Sequence, residues 1–398
     1  TEFIGRIHDE FARPGTCVAG FNSIRFDDEF TRNILYRNFL EPYAREWQGG
    51  NSRWDVIDLF RLAQALRPDG MNWPRNEDGN PSFRLEHLTA ANGISHENAH
   101  DAVADVLATV ELVKRLKAAQ PKLYDYAFNL RGKRAVLAQL YPLGKQALVH
   151  ASSMYSSARQ CIAVVLPLCT QPGNPNGVVC YDLAFDPGEL VAITPEELHR
   201  RVFTPQQELD ADRIHLKTIH VNRCPAVAPL ATLRTEDAAR LDIDLEACRA
   251  HMKSLQQASG VVEKIQDAFA RGEFARTDDP DLMLYQGDFF SNSDRARMAE
   301  LRNAPPASLP GYGNEFEDPR VPEMLFRYRA RNFPDSLSDV EMRRWIDYRR
   351  SRWIENGRAS ATLSDIDRLL AEPAQEGKDK SCLVDLKSWI DVRLRALQ

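Results

Sequence analysis

The 398-residue sequence contains no run of about 18 apolar residues, so no helical membrane span is expected. No charged-then-apolar signal pattern opens it. It has no excess of positive charge. Lys and Arg number 51 against 57 Asp and Glu, a formal net charge of −6, so bulk attraction to nucleic acid is not implied and any anion site must be local. It lacks a cysteine framework. The seven cysteines, at 17, 161, 169, 180, 224, 248 and 382, are odd in number and form no C-x-x-C pair, which fits a reducing cytoplasm. Internal repeats and low-complexity tracts are also absent. What remains, 43% hydrophobic and 27% charged, is the composition of a globular protein long enough for two or three domains.

The opening "TEFIGRIHDEF" already has helical spacing, with Phe3, Ile4, Ile7 and Phe11 on one face. A chain that begins inside an element predicts a fragment lacking its natural N-terminus. "CVAGF" (17–21) reads as a buried strand, and "NSIRFDDEFTRNILYRNFL" as loop and helix. "SRWDVIDLFRLAQALRP" reads as one amphipathic helix ended by Pro68, and "SFRLEHLTAANGI" as another, capped by Ser82 and stopped at Asn92-Gly93. A fourth helix spans about 99–118, with the apolar stripe Val103, Val106, Leu107, Val110, Val113 and Leu116. This first part, 1–120, predicts an α/β layer domain. From about 145 to 230 the chain turns β-rich. "CIAVVLPL" and "GVVCYDLAF" flank the turn "CTQPGNPNG", and "IHLKTIHV" adds a strand, which together predict a small barrel or sandwich. Helix returns over 235–271. "EFARTDDPDLM" is a linker, and 278–398 is helical.

His96-Glu97-Asn98-Ala99-His100 spells H-E-x-x-H, the string of zinc proteases, which needs both imidazoles on one helix face. The preceding Asn92-Gly93 is a turn signal, and Asn98 with Asp101 forms a capping-box-like pair. A helix starting near Asn98 separates the two histidines and predicts no zinc site. The same stretch also reads as His100 with Asp105. Upstream, a strand ends just before "NSIRFDDE", which carries Asp27. A carboxylate after a strand, and another on a later helix beside a histidine, suit two-metal phosphodiester hydrolysis. Carboxylates hold Mg²⁺ and a neutral histidine takes a proton from the attacking water.

Seven stretches, "GFNSIRFDDEFTRNILYRNF", "NSRWDVIDLFRLAQALRPDGMNWP", "PSFRLEHLTAANGI", "NAHDAVADVLAT", "HVNRCPAVAP", "TLRTEDAARL" and "FRYRARNFP", together resemble the bacterial exodeoxyribonuclease I family, in the histidine-bearing branch of the DEDD exonucleases. The resemblance implies a ribonuclease H-like exonuclease domain (1–120), an SH3-like β-rich domain (121–274) and an α-helical C-terminal domain (278–398). It implies a monomer that degrades single-stranded DNA from the 3′ end to 5′-mononucleotides with Mg²⁺, in DNA repair and recombination. Carried over by position, His100 is the general base, and Asp27 and Asp105 are catalytic metal ligands. Arg84 meets the substrate near the scissile end, and Arg32, Tyr43, Trp47 and Arg61 contact the strand. Arg67, Tyr126 and Arg234 match positions that bind the C-terminal tail of single-stranded DNA-binding protein, although Pro229 replaces a polar residue expected nearby. These are suitable types: arginines for phosphate and carboxylate, aromatics for stacking.

The family's first motif, D-x-E on the first strand, has no counterpart before Asp27, where Asp9 and Glu10 are adjacent and helical. Later D-x-E strings, Asp244–Glu246 and Asp339–Glu341, lie in helical or turn contexts. The exonuclease domain is therefore expected to be incomplete and this chain inactive. The alternative is a non-catalytic module that holds single-stranded DNA and its binding protein. Between 326 and 358, nine arginines meet five acids among Tyr328, Phe333, Trp345, Tyr348 and Trp353. That stretch predicts either a phosphate-binding face or a helix laced with ion pairs.

Overall fold

A computed structural model describes residues 1–95, 101–272, 276–372 and 380–397, with Asn314 described only along its backbone. In chain order the first elements are α1 (Glu2–Phe11), β1 (Cys17–Gly20), α2 (Asp27–Arg37), β2 (Ser52–Asp55), α3 (Ile57–Leu66), α4 (Leu85–Ala91), α5 (Ala102–Ala119), α6 (Pro121–Asn129) and α7 (Lys133–Leu140). The β-rich part holds β3 (Leu148–Ala151), β4 (Ile162–Thr170), β5 (Gly177–Asp182), α8 (Gly188–Ala192), α9 (Pro195–Phe203), β6 (Leu216–His220) and β7 (Ala226–Pro229). Helices follow: α10 (Thr235–Arg240), α11 (Leu245–Gln257), α12 (Val261–Ala270), α13 (Asn292–Asn303), α14 (Val321–Asn332), α15 (Asp339–Arg350), α16 (Arg358–Ala371) and α17 (Ser381–Arg395). No described helix is long and apolar enough to cross a membrane. Two compact units result. The larger comprises Arg6–Arg32 and Tyr43–Ala275; the smaller joins Thr1–Gly5, Asn33–Pro42 and Arg276–Gln398.

In the larger unit β1 and β2 pair in parallel, from Cys17 opposite Ser52 to Gly20 opposite Asp55. "SRWD" is thus a strand, and the helix predicted over that stretch begins only at Ile57. Asp55 makes the break. Its carboxylate accepts from the backbone N–H of Asn22 (2.8 Å), Ile24 (3.2 Å) and Ile57 (3.1 Å), tying the ends of both strands to the start of α3. Nine of the ten α3 residues are buried. Leu59, Phe60 and Ala63 join a core with Trp54, Leu112 and Leu116. Leu62, Ala65 and Leu66 join a second core with Val149, Val164 and Val179. Burial between two cores explains why apolar residues occupy more than one face of α3.

The five-stranded antiparallel sheet runs β6-β5-β4-β3-β7. β4 and β5 form the expected hairpin. Their near-continuous apolar sequence follows from burial on both faces: one packs in the core with Tyr181 and Leu198, the other with Val136, Leu140 and Val227.

Two helix starts differ from expectation. α4 opens at Leu85, because the Ser82 hydroxyl is engaged with His87 Nδ1 (2.7 Å) and Arg84 occupies the cap position. α5 is capped by Asp101, whose side chain accepts from Val103 and Ala104 N–H, both at 3.0 Å; the expected cap, Asn98, lies outside the described residues. The α5 stripe also departs from expectation. Leu112 and Leu116 are buried, while Val103, Val106, Leu107 and Val110 face solvent.

The smaller unit is organised around α14. Val321, Met324, Leu325 and Tyr328 pack with Tyr36, Phe39, Met298 and Leu309. The Tyr36 hydroxyl donates to the Pro280 carbonyl (3.0 Å).

Candidate nuclease and DNA-binding site

Asp27 and Asp28 are adjacent at the start of α2 yet have opposite surroundings. Asp28 is buried. It accepts from Arg45 Nη2 (2.7 Å) and Arg53 Nη1 (2.6 Å). Glu46 takes Arg32 Nε and Nη2, both at 2.7 Å, and pairs with Arg53 at 3.2 Å. Three arginines and their acids thus form one buried network. Asp27 remains solvent-facing. Partial desolvation lifts its pKa above the ordinary carboxylate range; its own backbone N–H pulls the other way, and the Asp28 charge adds to the rise. Of the two, only Asp27 is placed to meet a ligand.

Asp105 lies in the first turn of α5, half-buried, and its N–H donates to the Asp101 carbonyl (2.9 Å). His100 lies outside the described residues, as does the rest of the H-E-x-x-H string. Among the described residues α4 ends at Ala91 and α5 begins at Ala102. Among the described residues no group of three or more His, Cys, Asp or Glu could hold a metal ion. Both later D-x-E strings are helix caps. Asp244 accepts from Glu246 and Ala247 N–H, and Glu341 closes a capping box with Ser338.

The expected strand-contacting residues divide. Trp47 is 68% exposed, as a stacking platform requires, and Arg84 is exposed with no side-chain partner among the described residues. Arg32 is a correction. Its guanidinium is buried on Glu46 and Glu29 and lies 5.3 Å from the centre of the half-buried Tyr43 ring. Arg61 is another. It is neither exposed nor a solvated helix residue, but is buried on α3, paired with Asp58 and set over Phe83. Burial raises the Asp58 pKa against the attraction of Arg61. The sequence reading missed Phe26 and Phe30, exposed rings 4.7 Å apart on either side of Asp27. Their F-x-x-x-F spacing places them on one helical face and was the available signal.

Tyr126 meets β7, and Arg67 and Arg234 lie at the segment that follows it. Arg67 Nη1 donates to the Thr232 carbonyl (3.2 Å), the Tyr126 hydroxyl donates to Val227 O (3.0 Å), and Arg234 follows Thr232 by two residues, paired with Asp237. Burial pushes the Tyr126 phenol up to about 12, so it stays a donor.

In the 326–358 stretch the ion-paired alternative prevails. Arg327, Arg329, Arg331, Arg344, Arg350 and Arg352 all pair with carboxylates. Arg343, Arg349 and Arg358 have no ion-pair partner among the described residues.

Comparison with known proteins bears on all of these parts. Family models for an exonuclease domain, the exonuclease I SH3-like domain and the exonuclease I C-terminal domain match residues 2–113, 131–271 and 278–392. Exodeoxyribonuclease I of Escherichia coli (strain K12) is 46% identical over 350 residues, covering 87% of this chain and 74% of that protein. The chain belongs to the exodeoxyribonuclease I family. Its fold follows that of solved members. Escherichia coli exonuclease I in complex with a dA16 oligonucleotide superposes with TM-score 0.92 at 42% identity, covering 100% of this chain and 84% of that one. An SSB/exonuclease I structure with the inhibitor CFAM gives 0.88 at 41%, covering 98% and 82%. The chain is thus a nuclease-family hydrolase with exonuclease, SH3-like and C-terminal parts.

Proposed function

We propose that this protein is a 3′→5′ exonuclease on single-stranded DNA that releases 5′-mononucleotides by two-metal, Mg²⁺-dependent hydrolysis in DNA repair. The observation that carries the reading is sequence identity spread over all three family stretches, with relatives named exodeoxyribonuclease I and a solved member bound to an oligonucleotide. The working division is 1–120 for hydrolysis, 121–274 for the SH3-like part and 278–398 for the helical part, acting as a monomer. Seven free cysteines, five of them buried, support a reducing cytoplasm.

Asp27 and Asp105 are the carboxylates assigned to metal, and His100 the base. The chemistry a metal pair supplies is charge stabilisation and an activated water. The described residues do not fit that group, because Asp27 and Asp105 belong to no ligand cluster. The 398-residue chain by itself is therefore expected to be inactive. Trp47, Arg84 and the Phe26–Phe30 pair are the exposed groups suited to a single strand. Arg32 and Arg61 act behind them, as supports.

The test joins two measurements on the purified chain. Fluorescence anisotropy should show binding of a short oligo(dT) that weakens with salt. A 3′-labelled strand should release no nucleotide with Mg²⁺ beyond a chelated control. Release would overturn the inactivity, and absence of salt-sensitive binding would overturn the DNA reading. Binding without release also suits the second reading, a non-catalytic module for single-stranded DNA and its binding protein. The cluster of Arg67, Tyr126 and Arg234 favours that part of it.

A further inference from the structure

The helical unit contains a cleft that neither the nuclease assignment nor the tail-binding assignment uses. It encloses about 380 Å³, counting its open mouth, between the end of α15 and α17. Trp353 forms one wall, carried on the π-helical turn Ser351–Glu355. Such turns recur at functional sites. Trp389 forms the other wall, over a floor of buried Ile390 and Leu397. The Leu397 carbonyl accepts from Arg350 Nε (3.0 Å) and Nη2 (2.8 Å), which ties the chain end to α15 and holds the walls together.

Two arginines complete the rim. The Arg393 guanidinium lies 4.9 Å from the Trp389 ring centre, and Arg349 lines the cleft without an ion-pair partner among the described residues. No carboxylate of the described residues lines it. This contrasts with the rest of the stretch, where Arg327, Arg329, Arg331, Arg344 and Arg352 are neutralised by acids. Trp353 and Trp389 remain 39% and 49% exposed. Two half-open indoles beside uncompensated guanidinium groups match a ligand with a flat apolar body and an adjoining anion. A nucleotide has both parts: the base stacks on indole and the phosphate meets arginine. An acidic peptide with an apolar end calls instead for a closed apolar socket.

We propose that the Trp353–Trp389 cleft is a nucleotide-stacking subsite for single-stranded DNA, with Arg349 and Arg393 on the adjoining phosphate. The inference rests on the DNA-binding reading above and places one contact point of the strand on the helical unit.

The test uses the full chain and an oligo(dT) carrying one 5-iodo-2′-deoxyuridine. Irradiation and peptide mapping should yield a cross-link at Trp389 or Trp353. Trp389→Leu should abolish that cross-link and weaken binding on the order of tenfold. The doubly substituted Arg349→Gln/Arg393→Gln chain should lower the salt slope by about one to two phosphates, without touching the indole walls. Oligonucleotide bound with no cross-link there, and with affinity unchanged in both variants, overturns the subsite and leaves the proposed function standing. No oligonucleotide binding at all overturns both. A synthetic acidic peptide with an apolar C-terminus that quenches Trp389 fluorescence, where oligo(dT) does not, assigns the cleft to a protein partner and overturns the proposal.

Discussion

Asp28 shows how a side chain beside a candidate site serves it without touching a ligand. Its two oxygens hold Arg45 and Arg53, and all three side chains are buried. Removing one partner of a buried ion pair leaves the others uncompensated, at about 3–5 kcal/mol. Asp28→Ala should lower unfolding free energy by about that amount in a urea titration, whereas Asp27→Ala should change it by under about 0.5 kcal/mol. Equal losses would show that both carboxylates are structural. Asp55 gives a pH dependence. Burial lifts its pKa to about 6, against the pull of its three backbone N–H donors. A raised folded pKa means the native state holds the proton more tightly. Its contribution is therefore full below about pH 4 and is lost as pH rises through 6, on the order of 3 kcal/mol. The stability difference between the native chain and Asp55→Asn should move by that much between pH 4 and 7; a flat difference would remove Asp55 as the cause. Residue types were legible here in part. The spacing around Asp27 was readable, but the division of labour between Asp27 and Asp28 was not. Burial is decided by Arg45 and Arg53, which arrive from elsewhere in the chain. Arg32 and Arg61 were misread for the same reason, because a sequence does not display the carboxylate that neutralises an arginine.

At the scale of elements, periodicity located the helices but not what covers them. The β4–β5 hairpin was legible because two apolar runs flank a turn rich in Gly, Pro and Asn. β2 was not, because its four residues run straight into the apolar pattern of α3, and only pairing with β1 separates strand from helix. The α5 stripe was legible as an apolar face, but its exposure was not. Val103, Val106, Leu107 and Val110 follow i, i+3, i+4, i+7 and remain in solvent. Replacing Val106 and Leu107 by lysine should leave thermal stability nearly unchanged in a melting scan. A large fall in melting temperature would instead show that the stripe is covered in the native chain.

At the scale of the whole molecule, the order α/β, β-rich, helical was legible along the chain, and its reading as exonuclease, SH3-like and C-terminal parts came from the family resemblance. The placement of Arg67, Tyr126 and Arg234 at β7 and the segment that follows it was legible only through the resemblance, since their numbers are far apart. If that segment holds an acidic tail, a fluorescent acidic peptide with an apolar C-terminal end should bind. Arg67→Ala should weaken it about tenfold or more, the size of a charge-assisted hydrogen bond. An unchanged affinity in Arg67→Ala and Arg234→Ala would remove the tail from this place.

The smaller unit draws Tyr36 and Phe39 from an early stretch into a core otherwise built from the last third of the chain. A gene cut near 276 would not release that third as a portable cassette. The excised helices would carry an unfilled socket beside Met324 and Tyr328, and the remaining chain would carry two stranded aromatic plugs. Any graft or fusion of the helical part therefore has to bring residues 33–42 along.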